Sequence, residues 1–120
     1  MTELTAIVVT LSPIVTDLIA SLLAARAPVA VAERFTTRRA AEAWISLHKA
    51  DLIIVGAAEE DTGDVISRFL ALAPGATVLA LSDGGRCARV RANNVSERLL
   101  SDVSPDQLAD AVLAFLGSRG

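Results

Sequence analysis

Thr5-Ala6-Ile7-Val8-Val9-Thr10, followed at once by Leu11-Ser12-Pro13 and then by Val15, Leu18, Ile19, Leu22 and Leu23, sets a short β-branched run directly before a helical stripe. An unbroken apolar run of this length is the pattern of a strand covered on both faces. The i, i+3, i+4, i+7, i+8 spacing after it is that of a helix with one buried side. Ser12 and Pro13 have the chemistry of an N-cap and a first helical position, and Pro28 marks the end of the helix.

The same alternation recurs along the chain. Val29 to Phe35 is the second expected strand, and Thr36 or Thr37 caps a helix to about His48 with Ala41, Trp44, Ile45 and His48 on one side. Leu52 to Val55 is the third strand. Asp61 or Thr62 opens a helix through Val65, Ile66, Phe69, Leu70 and Leu72, which Pro74-Gly75 ends, and Val78 to Leu81 forms the fourth strand. A short fourth helix is expected between Gly85 and Asn93, bracketed by Gly84-Gly85 and Asn93-Asn94. Leu99 and Leu100 mark a short fifth strand. Ser104-Pro105-Asp106-Gln107 has the form of a capping box for a last helix carrying Leu108, Val112, Phe115 and Leu116 and ending near Gly117. Five βα units with short connections predict an α/β domain with a doubly wound, five-stranded parallel sheet and helices on both faces. Chemistry in such sheets sits outside the carboxyl ends of the strands, here Thr10 to Pro13, Gly56 to Asp61, Ser82 to Gly85 and Ser101 to Asp102.

Composition bounds the rest. The 120 residues, 52% of them apolar, read as one domain over 1–120 with a core that needs no metal or disulfide staple; the single Cys87 allows no internal disulfide. The apolar runs are too short for a membrane span, and the first residues lack a signal-peptide pattern, so the cytoplasm is the expected compartment. A net charge of −3 argues against direct nucleic-acid binding.

From Thr5 to Leu116 the pattern resembles the receiver (CheY-like) domain of bacterial response regulators, closest to those coupled to helix-turn-helix transcriptional effectors. Leu11-Ser12-Pro13-Ile14-Val15 sits where these have an acidic residue and then His-Pro-Leu-Val. Ala50-Asp51-Leu52-Ile53-Ile54-Val55 is similar to their PDLVLLD strand, and Val78-Leu79-Ala80-Leu81-Ser82 to their V-x-x-L-T/S strand. Arg98-Leu99-Leu100-Ser101-Asp102-Val103-Ser104-Pro105-Asp106-Gln107-Leu108 is similar to their Y-L-L-K-D-V-S-P-E-E-L segment. The resemblance implies a flavodoxin-like sheet of order 2-1-3-4-5.

It also implies where phosphoryl transfer to an aspartate would occur, and the residues for it are missing. The nucleophile position falls on Gly56, the acidic Mg²⁺-binding pair on Thr10 and Leu11, the lysine on Ser101 and the aromatic switch on Arg98; Ser82 alone keeps the family's hydroxyl. The expectation is a degenerate pseudo-receiver: no enzyme, no catalytic residue, no cofactor and no metal, acting in two-component signalling, phosphorelay or transcription regulation through protein-protein interaction. Glu59, Glu60 and Asp61 form a candidate cation loop but stand past the nucleophile position, and a solvated acidic loop is the plainer reading. Arg86, Arg89, Arg91 and Arg98 are the candidate partner-binding residues. They fall in the fourth helix and fifth strand, which with the fifth helix form the receiver face for a protein partner: a kinase, a regulator or a second copy. Arg34, Arg38 and Arg39 read as a solubilising group.

The alternative is a small-ligand sensor in which Thr10, Ser12, Ser82 and Ser101 line a neutral pocket around the gap left by Gly56. His48 and Cys87 stand without a constellation, and Trp44 is expected to cover the second helix where it meets the sheet.

Overall fold

The computed structural model describes residues 4–26, 29–82, 86–92, 95–101 and 104–118, and the side chains of Val95, Ser96, Pro105 and residues 115–118 are outside that description. The expected signals at Pro28, Gly84-Gly85, Asn93-Asn94 and Asp102, and the side chains of Phe115 and Leu116, therefore lie outside the described residues.

The chain is an α/β domain. Its strands are β1 (Leu4–Val9), β2 (Val29–Phe35), β3 (Leu52–Gly56), β4 (Thr77–Ser82), β5 (Cys87–Ala92) and β6 (Val95–Leu100), in the order β2-β1-β3-β4-β5-β6. The helices are α1 (Pro13–Arg26), α2 (Arg38–Ile45), α3 (Thr62–Leu72) and α4 (Pro105–Ser118), and a short 3-10 turn over Glu59–Asp61 leads into α3. β1 to β4 pair in parallel, in the order 2-1-3-4, which is the parallel part of the order that the resemblance implies.

Side-chain alternation fills both faces of the central strands. Ala6 and Val8 of β1, Leu52 and Ile54 of β3, and Leu79 and Leu81 of β4 pack with Ile19 and Leu23 of α1 and Leu108 and Val112 of α4. Ile7, Val9, Ile53, Val55, Val78 and Ala80 point the other way and pack with Ala41 and Ile45 of α2 and Val65, Ile66, Phe69 and Leu70 of α3.

Helix starts follow their capping chemistry. Ser12 Oγ accepts from the Val15 amide at 3.3 Å, and Thr37 Oγ1 from Ala40 at 3.3 Å. Ser104 and Gln107 form a reciprocal capping box at 2.9 and 3.2 Å. α2 ends at Ile45, earlier than His48, and the chain turns through Ser46 and His48, whose amides donate to Glu42 and Trp44. Trp44 is half-buried against the α2/α3 core, with Phe35 on one side and the His48 ring stacked on it at 4.5 Å.

The carboxyl-terminal third corrects the sequence reading. The sheet has six strands and is mixed; it is not a five-stranded parallel sheet of order 2-1-3-4-5. No helix forms over Cys87–Ala92, which is strand β5, antiparallel to β4 with Ser82 opposite Cys87 and Thr77 opposite Ala92. The expected fifth strand is present and longer than Leu99-Leu100, but it is β6, antiparallel to β5 and separated by it from β4.

The physical reason is the period of Cys87-Ala88-Arg89-Val90-Arg91-Ala92. Ala88, Val90 and Ala92 are buried in the α1/α4 core, while Cys87, Arg89 and Arg91 alternate with them on the other face. A helix would turn Val90 to the side opposite Ala88 and Ala92 and leave the core without it. Only two residues lie between the paired Ala92 and Val95, a hairpin spacing.

This assignment makes alternate residues of β5 unequal. Val90→Ala should lower unfolding stability in urea by roughly 1.5–3 kcal/mol, whereas Arg91→Ala should stay within about 1 kcal/mol. Equal losses at the two positions would contradict the strand.

Candidate functional site

At the carboxyl end of β3, Gly56 leaves no gap. A Cβ there would lie 2.7 Å from the Thr10 carbonyl oxygen and 2.9 Å from Leu11 Cδ2, closer than real side chains approach. Thr10 makes this packing. It takes a left-handed backbone conformation (φ 55°), its amide donates to Phe35 O at 2.8 Å, and its hydroxyl donates to the Gly56 carbonyl at 2.6 Å. A positive φ is rare for a β-branched residue, so these bonds and the absent side chain at Gly56 hold a strained turn together. The pocket expected around Gly56 is filled by the β1–α1 connection, and Thr10 and Ser12 have other work: one clamps β3, the other caps α1.

Ser82 and Ser101 do converge. With Glu59, Thr62, Cys87, Arg89, Leu99 and Leu100 they line a cleft of about 130 Å³ beside the top of β4. Ser82 is buried, and Thr62 is buried with its hydroxyl donating to Glu59 O at 2.9 Å. Arg89 crosses from β5 to the first turn of α3, where a Cβ at Gly63 would meet its Nη1 at 2.9 Å, so Gly63 makes room for the guanidinium. Its Nη1 lies 3.7 Å from Glu97 Oε1, and its Nε is buried without a hydrogen-bond partner among the described residues. Unpaired buried donors are uncommon and call for an acceptor such as water or an anion.

The four candidate partner-binding arginines do not form one surface. Arg89 and Arg91 share the α3 side of β5, where Arg91 donates to Ser67 Oγ at 3.0 Å. Arg98 stands opposite Val90 and so projects from the α4 side, lining a groove of about 440 Å³ with Gln107, Asp110 and Ala111. Arg86 is exposed just before β5. The fourth helix to which the sequence assigns Arg86, Arg89 and Arg91 does not form over Cys87–Ala92, so Arg89 and Arg91 stand on a strand and not on one helix face. Directly opposite Arg89 is Leu99, 63% exposed and on the same face of the sheet. α3 reaches β5 through Gly63 and Ser67, and Leu99 lies beyond it.

The remaining candidates are dispersed. Glu59, Glu60 and Asp61 are exposed in the 3-10 turn, and among the described residues no three His, Cys, Asp or Glu side chains converge as a metal site would require. Arg34 pairs with Asp17 at 2.9 Å; Arg38 lines a groove with Glu42, Asp64 and Arg68, and Arg39 is exposed. His48 Nδ1 lies 3.1 Å from Trp44 O, and Cys87 is half-exposed in the cleft. Thr62, Glu59 and Gly63 were not singled out by sequence as parts of the cleft. The alternation of Cys87–Ala92, which puts Cys87 and Arg89 on one face, is the signal that leads to them.

Comparison with family models, with curated proteins and with solved structures returns no match. Among the described residues no helix is long and apolar enough to cross a membrane.

The Thr10–Gly56 contact predicts its own failure. Gly56→Ala should destabilise the fold by about 2 kcal/mol or more in urea unfolding, because the clashing atom is backbone, and Gly56→Asp should be worse. A neutral Gly56→Asp would show that the turn yields readily.

Proposed function

We propose that this chain is a phosphorylation-independent, receiver-like domain that works in signal transduction or transcription control by binding a protein partner. The observation that carries the reading is the closed end of β3: the position where the resembling family holds its phospho-accepting aspartate is Gly56, packed against the Thr10 carbonyl with no room for a side chain. The order 2-1-3-4 of the parallel strands and the Ser82 hydroxyl are consistent with that ancestry. Without a carboxylate to phosphorylate there is no phosphoryl-driven change of conformer, and the binding surface is set by the fold itself.

That surface is the outer part of the β5–β6 hairpin. Leu99 offers an exposed apolar anchor with Arg89 opposite it on the same face of the sheet, while Arg98 projects from the other face at the sheet edge. Its partner is a protein, a kinase or regulator in such a pathway, presenting an apolar residue flanked by carboxylates.

The buried, unpartnered Arg89 Nε favours a second reading, a sensor of a small anion held in the cleft with Ser82 and Ser101. A cleft of about 130 Å³ has room for an inorganic anion or a few waters.

Three measurements test these readings. Incubation with a small phosphodonor and Mg²⁺ should leave the intact mass unchanged, and a stoichiometric adduct on a carboxylate would overturn the first. Affinity capture from native extract should lose its saturable partner on Leu99→Glu with Arg98→Glu. A thermal shift with phosphate or small carboxylates that vanishes in Ser82→Ala and Arg89→Gln would instead favour the sensor.

A further inference from the structure

α1 has a second apolar face that the domain does not cover. Thr16, Ile19 and Leu23 are its buried residues, and Ile14, Leu18, Ser21 and Ala25 lie on the opposite side of the cylinder. Ile14 is 81% exposed and Leu18 46%. The four recur at steps of four, three and four residues, the spacing of a seam that packs against another helix. No charge interrupts the seam. The two charged residues of α1, Asp17 and Arg26, lie to its sides and are engaged within the chain, Asp17 by Arg34 of β2 and Arg26 by Asp106 and Asp110 of α4.

The seam is graded in size, with the large side chains in its first half and the small ones in its second. We infer that α1 is a self-association surface, on which a second copy of this chain packs its own α1 antiparallel, Ile14 against Ala25 and Leu18 against Ser21. In this register each large residue meets a small one, and the twofold symmetry makes every contact twice. A parallel pairing in register would oppose Ile14 to Ile14 and leave Ser21 and Ala25 facing each other across a void.

Charge agrees with the antiparallel choice. Arg26 with Asp106 and Asp110 carries a net single negative charge next to Ala25, and the aspartate side chains remain 69% exposed. Antiparallel packing sets that group by the first turn of the second copy's α1, whose helix dipole is positive and which has no acidic residue of its own. The surface is separate from the β5–β6 hairpin and independent of the function proposed above.

One helix pair buries less than the roughly 800 Å² per partner of a standard interface, so the dimer is a weak one, to be sought at protein concentrations from roughly 10 µM to 1 mM. Sedimentation equilibrium of the full chain should show the average mass rising towards that of a dimer over this range, and Leu18→Glu should need concentrations about tenfold higher for the same rise. A register test does not depend on how that variant folds. In a Cys87→Ser background, Ile14→Cys protein mixed with Ala25→Cys protein should form a disulfide-linked pair on mild oxidation. Each alone should not, since like positions are roughly 16 Å apart along the helix. A wild-type chain that stays monomeric throughout, or a thiol variant that links to itself as readily as to the other, would overturn the inference.

Discussion

Burial of both faces of β1, β3 and β4 at once is the constraint from which the rest of the domain follows. Ile7 and Val9 are sealed by α2 and α3 while Ala6 and Val8 between them are sealed by α1 and α4, and β3 and β4 repeat the arrangement. A strand with two dry faces has no tolerance for polar side chains along its length, so polarity is confined to its ends. At the amino end, Asp51 joins three strands: its carboxylate accepts from the Thr5 amide at 2.9 Å, its amide donates to Thr5 O, and its carbonyl accepts from Thr77. At the carboxyl end, Thr10 ties β1 to β3 through Gly56. These polar clasps fix the register that the apolar faces require.

The clasp at Gly56 also determines what the top of the sheet does. In an open α/β sheet that end is the natural place for a ligand, because the strand ends diverge there. Here the β1–α1 connection occupies the space over β3, and the available cavity is displaced sideways to β4, β5 and the start of α3. The displacement brings in Arg89, whose guanidinium fits because Gly63 has no side chain. Two glycines thus act in opposite senses, Gly56 by letting backbone fill a site and Gly63 by admitting a side chain to another.

The first two-thirds of the fold could be read from the sequence because each signal there was local and strong. Apolar runs such as Ile7-Val8-Val9 and Ile53-Ile54-Val55 fit a doubly covered strand, and Ser12 and Thr37 cap helices where their chemistry says they should, as the Ser104/Gln107 pair does further along the chain. Cys87–Ala92 defeated the same reasoning. Its apolar residues are two alanines and a valine, a faint period-two pattern under conspicuous arginines, and the bracketing Gly84-Gly85 and Asn93-Asn94 pairs suggested a short helix at that place. Ser82 and Ser101 were legible as strand-end hydroxyls. Gly63 beside Arg89 was not, since that fit depends on the approach of α3 to a strand distant in sequence. The left-handed Thr10 was likewise hidden, because its stability lies in bonds to Phe35 and Gly56 and in nothing that threonine itself prefers.

Replacing a helix by a strand changes how one end of the sheet communicates with its edge. A helix packed on a sheet can slide or tilt against it at modest cost, since side-chain packing is its only attachment. β5 is instead bonded to β4 on one side and β6 on the other, Arg91 fastens it further to Ser67 of α3, and the Arg89 guanidinium packs over Gly63. The cleft at Ser82 and the exposed Leu99 are parts of one hydrogen-bonded ladder. A partner of the kind proposed, were it to dock at Leu99, would meet a surface already in place, with no minor conformer to populate first. The same ladder makes any occupant of the cleft a direct neighbour of that surface, because Arg89 lines the one and stands opposite the centre of the other.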